Sequence, residues 1–414
     1  MAIVKPFKAV RPSKEVADKM ISLPYDVMSR EEAAAMADGN PYSFLHICRS
    51  EIDLPGEKDP YCEAVYKKAS SNIADFLSEG VLIRDEKPMF YIYRQIMDGR
   101  TQTGIVACCS IDDYLQDNIK KHEFTRVEKE IDRINHFDVC NANTEPVFLT
   151  YRDNLKIRSI VEGWISGHTP DYDITTNDGI RHILWIVNAD SVITSIETLF
   201  GDVPALYIAD GHHRSASAVK VGLKRREENP DFDGCEEFNR FMAVIFPDND
   251  LKIFDYNRVI KDLNGLSAKG FITEVAKNFE IEEIGDGSPF APSEAYTFGM
   301  FLEGKWYKLT AKPEIIEADD PIKSLDVSIL QDNLLAPILG IKDPRTDKRI
   351  DFIGGIRGLK ELERRVALDM KVAFSLFPAS LSQLLEVADR SLVMPPKSTW
   401  FEPKLGSGLF IHEL

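Results

Sequence analysis

The stretch Tyr207–Ala218, YIADGHHRSASA, restricts the fold of this chain more than any other. An apolar run, Ala205–Ala209, passes without a spacer into Asp210-Gly211-His212-His213-Arg214, and Ser215–Leu223 then places Ala216, Val219 and Leu223 on one helical face. A buried strand that feeds a helix directly needs a sheet to receive it and a layer to cover it, which excludes all-helical and all-β architectures. Gly211 at the junction permits a left-handed backbone or the close approach of a ligand. The first turn of the helix presents free N–H groups that attract anions, and Arg214 adds a fork suited to phosphate oxygens. Asp210 is placed to hold a cation or receive a hydroxyl. A plainer reading stands beside this one: Asp210 caps the helix and the two histidines are surface polar groups.

The rest of the chain agrees with a mixed architecture. Its 414 residues are enough for two or three domains, and 44% hydrophobic with 28% charged residues is the balance of a globular protein. In residues 1–115, Ser29 and Glu32 form a capping box, Glu63–Leu77 has helical periodicity, and Asp98-Gly99 joins the strands Met89–Ile96 and Gln102–Ser110. In residues 116–263, Thr125 and Glu128 read as a second capping box. Val127, Ile131, Ile134 and Phe137 then face inward, Val147–Tyr151 is a strand, and Phe241–Phe246 pairs with Leu251–Tyr256 across the turn Pro247–Asp250. Residues 264–414 are α+β again, with a hairpin around Glu303-Gly304 and helices near Val327–Leu339 and Leu381–Ala388.

Charge narrows the partners. Lysine and arginine number 50 against 67 acidic residues, a net charge of −17, so neither a nucleic acid nor an anionic membrane is an expected partner. A local basic pocket for one small anion remains compatible. The N-terminus lacks the apolar core of a signal peptide and no apolar run is long enough to span a bilayer, which places the protein in the cytoplasm. The six scattered cysteines make no disulfide framework, and Cys108 and Cys109 in GIVACCSI read as small core residues of a buried strand. No CxxC or Cys/His zinc spacing is present. The oligomeric state is open.

Two further segments carry chemistry. Lys121-His122-Glu123-Phe124-Thr125 puts a carboxylate in a loop just before a helix, where Glu123 serves either as a general base for a hydroxyl or as a favourable charge near a helix N-terminus. Pro395 and Pro396 stiffen the approach to Lys397, Ser398 and Thr399, a compact donor set for a phosphate or carboxylate. The loop Ile353–Gly358 lacks the order of a phosphate-binding loop and reads as a tight turn. Pro24-Tyr25-Asp26 reads as a turn as well.

Taken in order, His122-Glu123, the following helix, Pro146 with its strand, Asp210–Arg214 and Pro396-Lys397-Ser398-Thr399 resemble the free-serine kinases and a longer prokaryotic family related to them. The resemblance implies an α+β fold whose central domain is ParB/sulfiredoxin-like, flanked by N-terminal and C-terminal α+β regions. It implies phosphoryl transfer from ATP or ADP, with Mg²⁺, to the hydroxyl of free L-serine or a related compound. Glu123 is then the base, and Asp210 and His213 are catalytic, with Asp210 holding the metal. Gly211, His212 and Arg214 cradle the donor's phosphates, with Lys397, Ser398 and Thr399 completing the anion pocket. Against the compact kinases this chain adds residues 1–115 and an insertion near 152–202. The alternative is a nucleotide-binding regulator of ParB-like fold without transfer; a sulfiredoxin-like reductase would need a cysteine where His212-His213 stand.

Overall fold

The computed structural model describes residues 2–285 and 287–414. The fold is α+β, in two compact units: Met1–Leu251 together with Pro403–Leu414, and Lys252–Glu402.

The first unit is built on a nine-stranded mixed sheet. Its order is Ile119–Lys120, Leu206–Asp210, Val147–Tyr151, Arg240–Pro247, Arg100–Ser110, Phe90–Met97, Arg181–Val187 and Tyr172–Thr175, with Val4–Lys5 also on Arg100–Ser110. The expected boundary near residue 115 falls inside this sheet, because Arg100–Ser110 pairs with Phe90–Met97 on one side and Arg240–Pro247 on the other. A strand as uniformly apolar as GIVACCSI needs neighbours on both edges and cover on both faces. Its turn at Asp98-Gly99, with φ of 51° and 76°, is the left-handed pair that a two-residue hairpin requires. Residues 152–202 extend the same sheet through Tyr172–Thr175 and Arg181–Val187 and add the helices Leu155–Gly167 and Asp190–Gly201.

Two expectations fail for identifiable reasons. Phe241–Phe246 has no hairpin partner after Pro247–Asp250. The Asp250 carboxylate accepts from the Thr103 N–H at 3.0 Å and Arg158 at 3.1 Å, fixing the turn in the first unit. The chain then leaves: Ile253–Phe254 pairs with Trp400–Phe401, and Tyr256–Ile260 joins the sheet of the second unit. The helix Val127–Cys140 is present but rotated. Val127 and Ile131 are exposed, while Glu130, Asp132, Arg133 and His136 join Phe137 on the buried side, where the helices Glu63–Ser78 and His212–Glu228 pack. Thr125 does not cap it, since its hydroxyl bonds Glu130 instead and Arg126 occupies the cap position. Ser29 and Glu32 do form a complete capping box.

A four-stranded sheet closes the first unit, with the C-terminal strand Ile411–Glu413 between Ala9–Pro12 and Ala142–Asn143. The second unit has its own apolar core under an antiparallel six-stranded sheet, ordered Phe279–Glu283, Lys305–Ala311, Thr297–Leu302, Val372–Leu376, Tyr256–Ile260 and Ile350–Gly354. Among the described residues no helix is long and apolar enough to cross a membrane.

Candidate active site

Asp210 ends the strand Leu206–Asp210, whose pairing with Val147–Tyr151 shifts register between Ile208 and Asp210. Such an irregularity re-aims the side chain that follows it. Gly211 has φ 94° and caps the 17-residue helix His212–Glu228. A side chain at 211 would meet the Arg214 guanidinium, 3.2 Å from its Nε, because Arg214 lies across the turn. The backbone angle therefore favours glycine, and the guanidinium leaves little room for a Cβ.

The carboxylate of Asp210 accepts from the Gly211 N–H at 2.8 Å and from the Lys404 ammonium at 2.9 Å. Burial by itself would raise its pKa, but the charges of Lys404 and Arg214 and these hydrogen bonds outweigh it and hold the group well below the usual carboxylate range. Asp210 is thus ionised at neutral pH, with a third of its side chain, 32%, open.

Lys404 was invisible to motif reasoning. It reaches the site because a buried polar network grips the backbone around it. Gln95 Nε2 donates to the Lys404 carbonyl at 2.7 Å, the Gly406 N–H donates to Tyr93 Oη at 3.1 Å, and Ser407 Oγ donates to Glu145 at 2.7 Å. The one available signal was a second Pro-Lys pair, Pro403-Lys404, in the same tail.

The two histidines hold the Glu123 loop. His212 Nε2 accepts the His122 N–H at 3.4 Å, and His213 Nε2 accepts the Arg126 N–H at 3.0 Å. Each ring therefore carries its proton on Nδ1 when neutral. Burial lowers both pKa values; for His212 the shift is large and His122, edge-on at 4.5 Å, adds to it. His212 Nδ1 faces Glu123 Oε2 at 3.8 Å, while the Glu123 side chain is 51% exposed. His122 is buried, which pushes its pKa down to about 4.

Arg214 is buried and donates to the Pro146 carbonyl at 2.5 Å. Burial opposes its charge, yet Asp26, Asp210 and Glu145 more than compensate and raise its pKa. The Asp26 charge also acts on His213, where it favours the protonated ring. Tyr25 and Asp26 also line a polar cavity of about 230 Å³, with Arg49, Asp132, Arg133 and His136 on its walls. Arg133 lies over the Tyr25 ring at 3.9 Å and pairs with Asp132 at 2.9 Å.

Glu123, Asp210, Gly211, His212, His213 and Arg214 thus come together in the first unit. Lys397, Ser398 and Thr399 belong to the second. There the Lys397 carbonyl accepts from Arg258 at 2.9 Å, its ammonium lies 5.5 Å from the Tyr256 ring, and the Ser398 hydroxyl bonds the Pro395 carbonyl.

No curated protein matches this chain. Among solved structures it is similar to a free serine kinase in complex with AMP, at 16% identity and TM-score 0.34 over 74% of this chain and 92% of that one. A conserved hypothetical protein from Pyrococcus furiosus gives 16% and 0.34 over 74% and 95%. C-terminally truncated SbnI from Staphylococcus aureus gives 10% and 0.39 over 74% and 87%. All three likenesses are distant. The match that covers most of the sequence is to a family model spanning residues 4–328, and by it the chain belongs to the family described as "Protein of unknown function (DUF1015)".

Proposed function

We propose that this protein is a small-molecule phosphotransferase that moves a phosphoryl group from ATP or ADP to the hydroxyl of L-serine or a related hydroxy compound. The observation that carries this reading is the ionised Asp210, paired with Lys404 at 2.9 Å, beside the N-terminus of a 17-residue helix and the loop that bears Glu123.

Phosphoryl transfer asks a protein mainly for positioning and for neutralisation of charge. The first-turn N–H groups of His212, His213 and Arg214 have no preceding carbonyl within the helix and, with the helix dipole, receive the donor's phosphates. Lys404 supplies a cation at the same point. Arg214 acts from below, holding Gly211 and the Pro146 carbonyl in place. A single ionised carboxylate together with phosphate oxygens is a donor set that suits Mg²⁺, so Asp210 would hold the metal, which neutralises phosphate charge when bound. Glu123, open to solvent and steered by His212, takes the acceptor's hydroxyl proton. The acceptor occupies the polar cavity lined by Tyr25, Asp26, Arg49, Asp132, Arg133 and His136.

The test is direct. Purified protein with Mg²⁺, L-serine and either nucleotide yields O-phosphoserine, and Glu123→Gln loses turnover by about 100-fold or more while nucleotide affinity is retained. A ParB-like regulator would bind nucleotide with no acceptor-dependent turnover in either protein.

A further inference from the structure

Cys108, Glu237 and His412 come from three remote segments: the strand Arg100–Ser110, the single turn Glu237–Asn239 and the C-terminal strand Ile411–Glu413. One donor atom from each lies within 4.8 Å of the others. Glu237 Oε2 is 2.8 Å from His412 Nε2. We propose that these three side chains form a binding site for a thiophilic divalent cation, Zn²⁺ above all, apart from the candidate active site and independent of the reading given for it.

The donor set argues for this first. Thiolate, imidazole and carboxylate together are a zinc-type combination, and neither Mg²⁺ nor Ca²⁺ favours the sulfur. Orientation argues next. His412 Nδ1 donates to Asn143 Oδ1 at 3.2 Å, which turns Nε2 toward the cluster, as the outer hydrogen bond of a metal-bound histidine does. Charge balances as well: one thiolate and one carboxylate neutralise the cation. Cys108 and His412 are nearly inaccessible, at 0% and 1%, while the Glu237 side chain is 41% exposed. Glu237 is therefore both the entry and the adjustable ligand, with a water as fourth partner. Arg240, 3.5 Å away, faces its other oxygen, Oε1.

Tetrahedral zinc separates nitrogen and oxygen ligands by about 3.3 Å and sulfur from either by about 3.5 Å, so the Glu237–His412 contact must open by roughly half an ångström while Cys108, whose sulfur lies within 4.8 Å of the other donors, draws in toward them. Binding breaks the Cys108 S–H bond and displaces the proton shared by His412 and Glu237, forming three metal bonds and releasing two protons to solvent. The site would staple the C-terminal strand to the central strand of the large sheet.

The experiment uses the full-length protein stripped with a chelator and titrated with Co²⁺, then Zn²⁺. The expected result is one Co²⁺ per chain with a sulfur-to-cobalt charge-transfer band, bleached by one equivalent of Zn²⁺. Cys108→Ala abolishes that band, and Glu237→Gln, at a partly exposed position that tolerates change, weakens Zn²⁺ binding by about tenfold or more. A wild-type spectrum without the sulfur band overturns the proposal. So does Zn²⁺ affinity unchanged in Glu237→Gln, an arm that holds even where Cys108→Ala fails to fold.

Discussion

Gly211 and the buried histidines are where single residues decide the behaviour of the site. At φ 94°, with Arg214 packed across it, Gly211 accepts no side chain without strain. Gly211→Ala is expected to cost about 1–3 kcal/mol, read as a lower urea midpoint with unchanged slope. The histidines set the acid limit of the fold. Burial lowers His122 to about 4 and His136 to about 3, so the folded state binds fewer protons than the unfolded chain, whose histidines titrate near 6.5. Their contribution is fully present above about pH 6.5 and is lost as pH falls from there through about 4, at about 1.4 kcal/mol per pH unit for each ring. Glu145 works with the opposite sign, since burial raises its carboxyl. Comparing wild type with His122→Asn isolates one ring: the variant's stability should fall less steeply between pH 6 and 4.5. Parallel pH profiles for the two proteins would count against a buried neutral His122.

Among the elements, the helix Val127–Cys140 shows where sequence reasoning reaches its limit. Apolar periodicity put Val127 and Ile131 inside, yet both are exposed and a polar stripe is buried instead. Periodicity assumes that apolar groups do the burying; here Arg133, Asp132 and His136 are buried because they answer one another and Tyr25 across a polar cavity. The same logic explains what was legible. The strand Val147–Tyr151, the Ser29 capping box and the Asp98-Gly99 hairpin rest on local chemistry and appear in the structure. Asp210–Arg214 was legible because strand, glycine and helix are consecutive. Lys404 was not, since it arrives from 194 residues away on a backbone held by side chains that carry no local signal. Arg133→Met should cost about 3–5 kcal/mol, because it leaves the buried Asp132 without the guanidinium it pairs with. A denaturation midpoint close to that of wild type would show that the stripe is not a coupled charge network.

For the molecule as a whole, the division into units explains the organisation better than three consecutive domains. Residues 1–115 do not form a separate module; they supply the hairpin in the centre of the large sheet and the Tyr25–Asp26 wall of the polar cavity. The C-terminal dozen residues return to the first unit and bring Lys404, Ser407 and His412 with them. The net charge of −17 sharpens the contrast, since Lys404 and Arg214 are cations gathered at one point of an acidic protein. If this point transfers a phosphoryl group, ³¹P NMR of the full-length protein with Mg²⁺, L-serine and ATP or ADP shows an O-phosphoserine signal that grows with time in wild type and is absent in Glu123→Gln, although the variant still binds nucleotide. No acceptor-dependent product from wild type, across a panel of hydroxy amino acids and with both nucleotides, would contradict it.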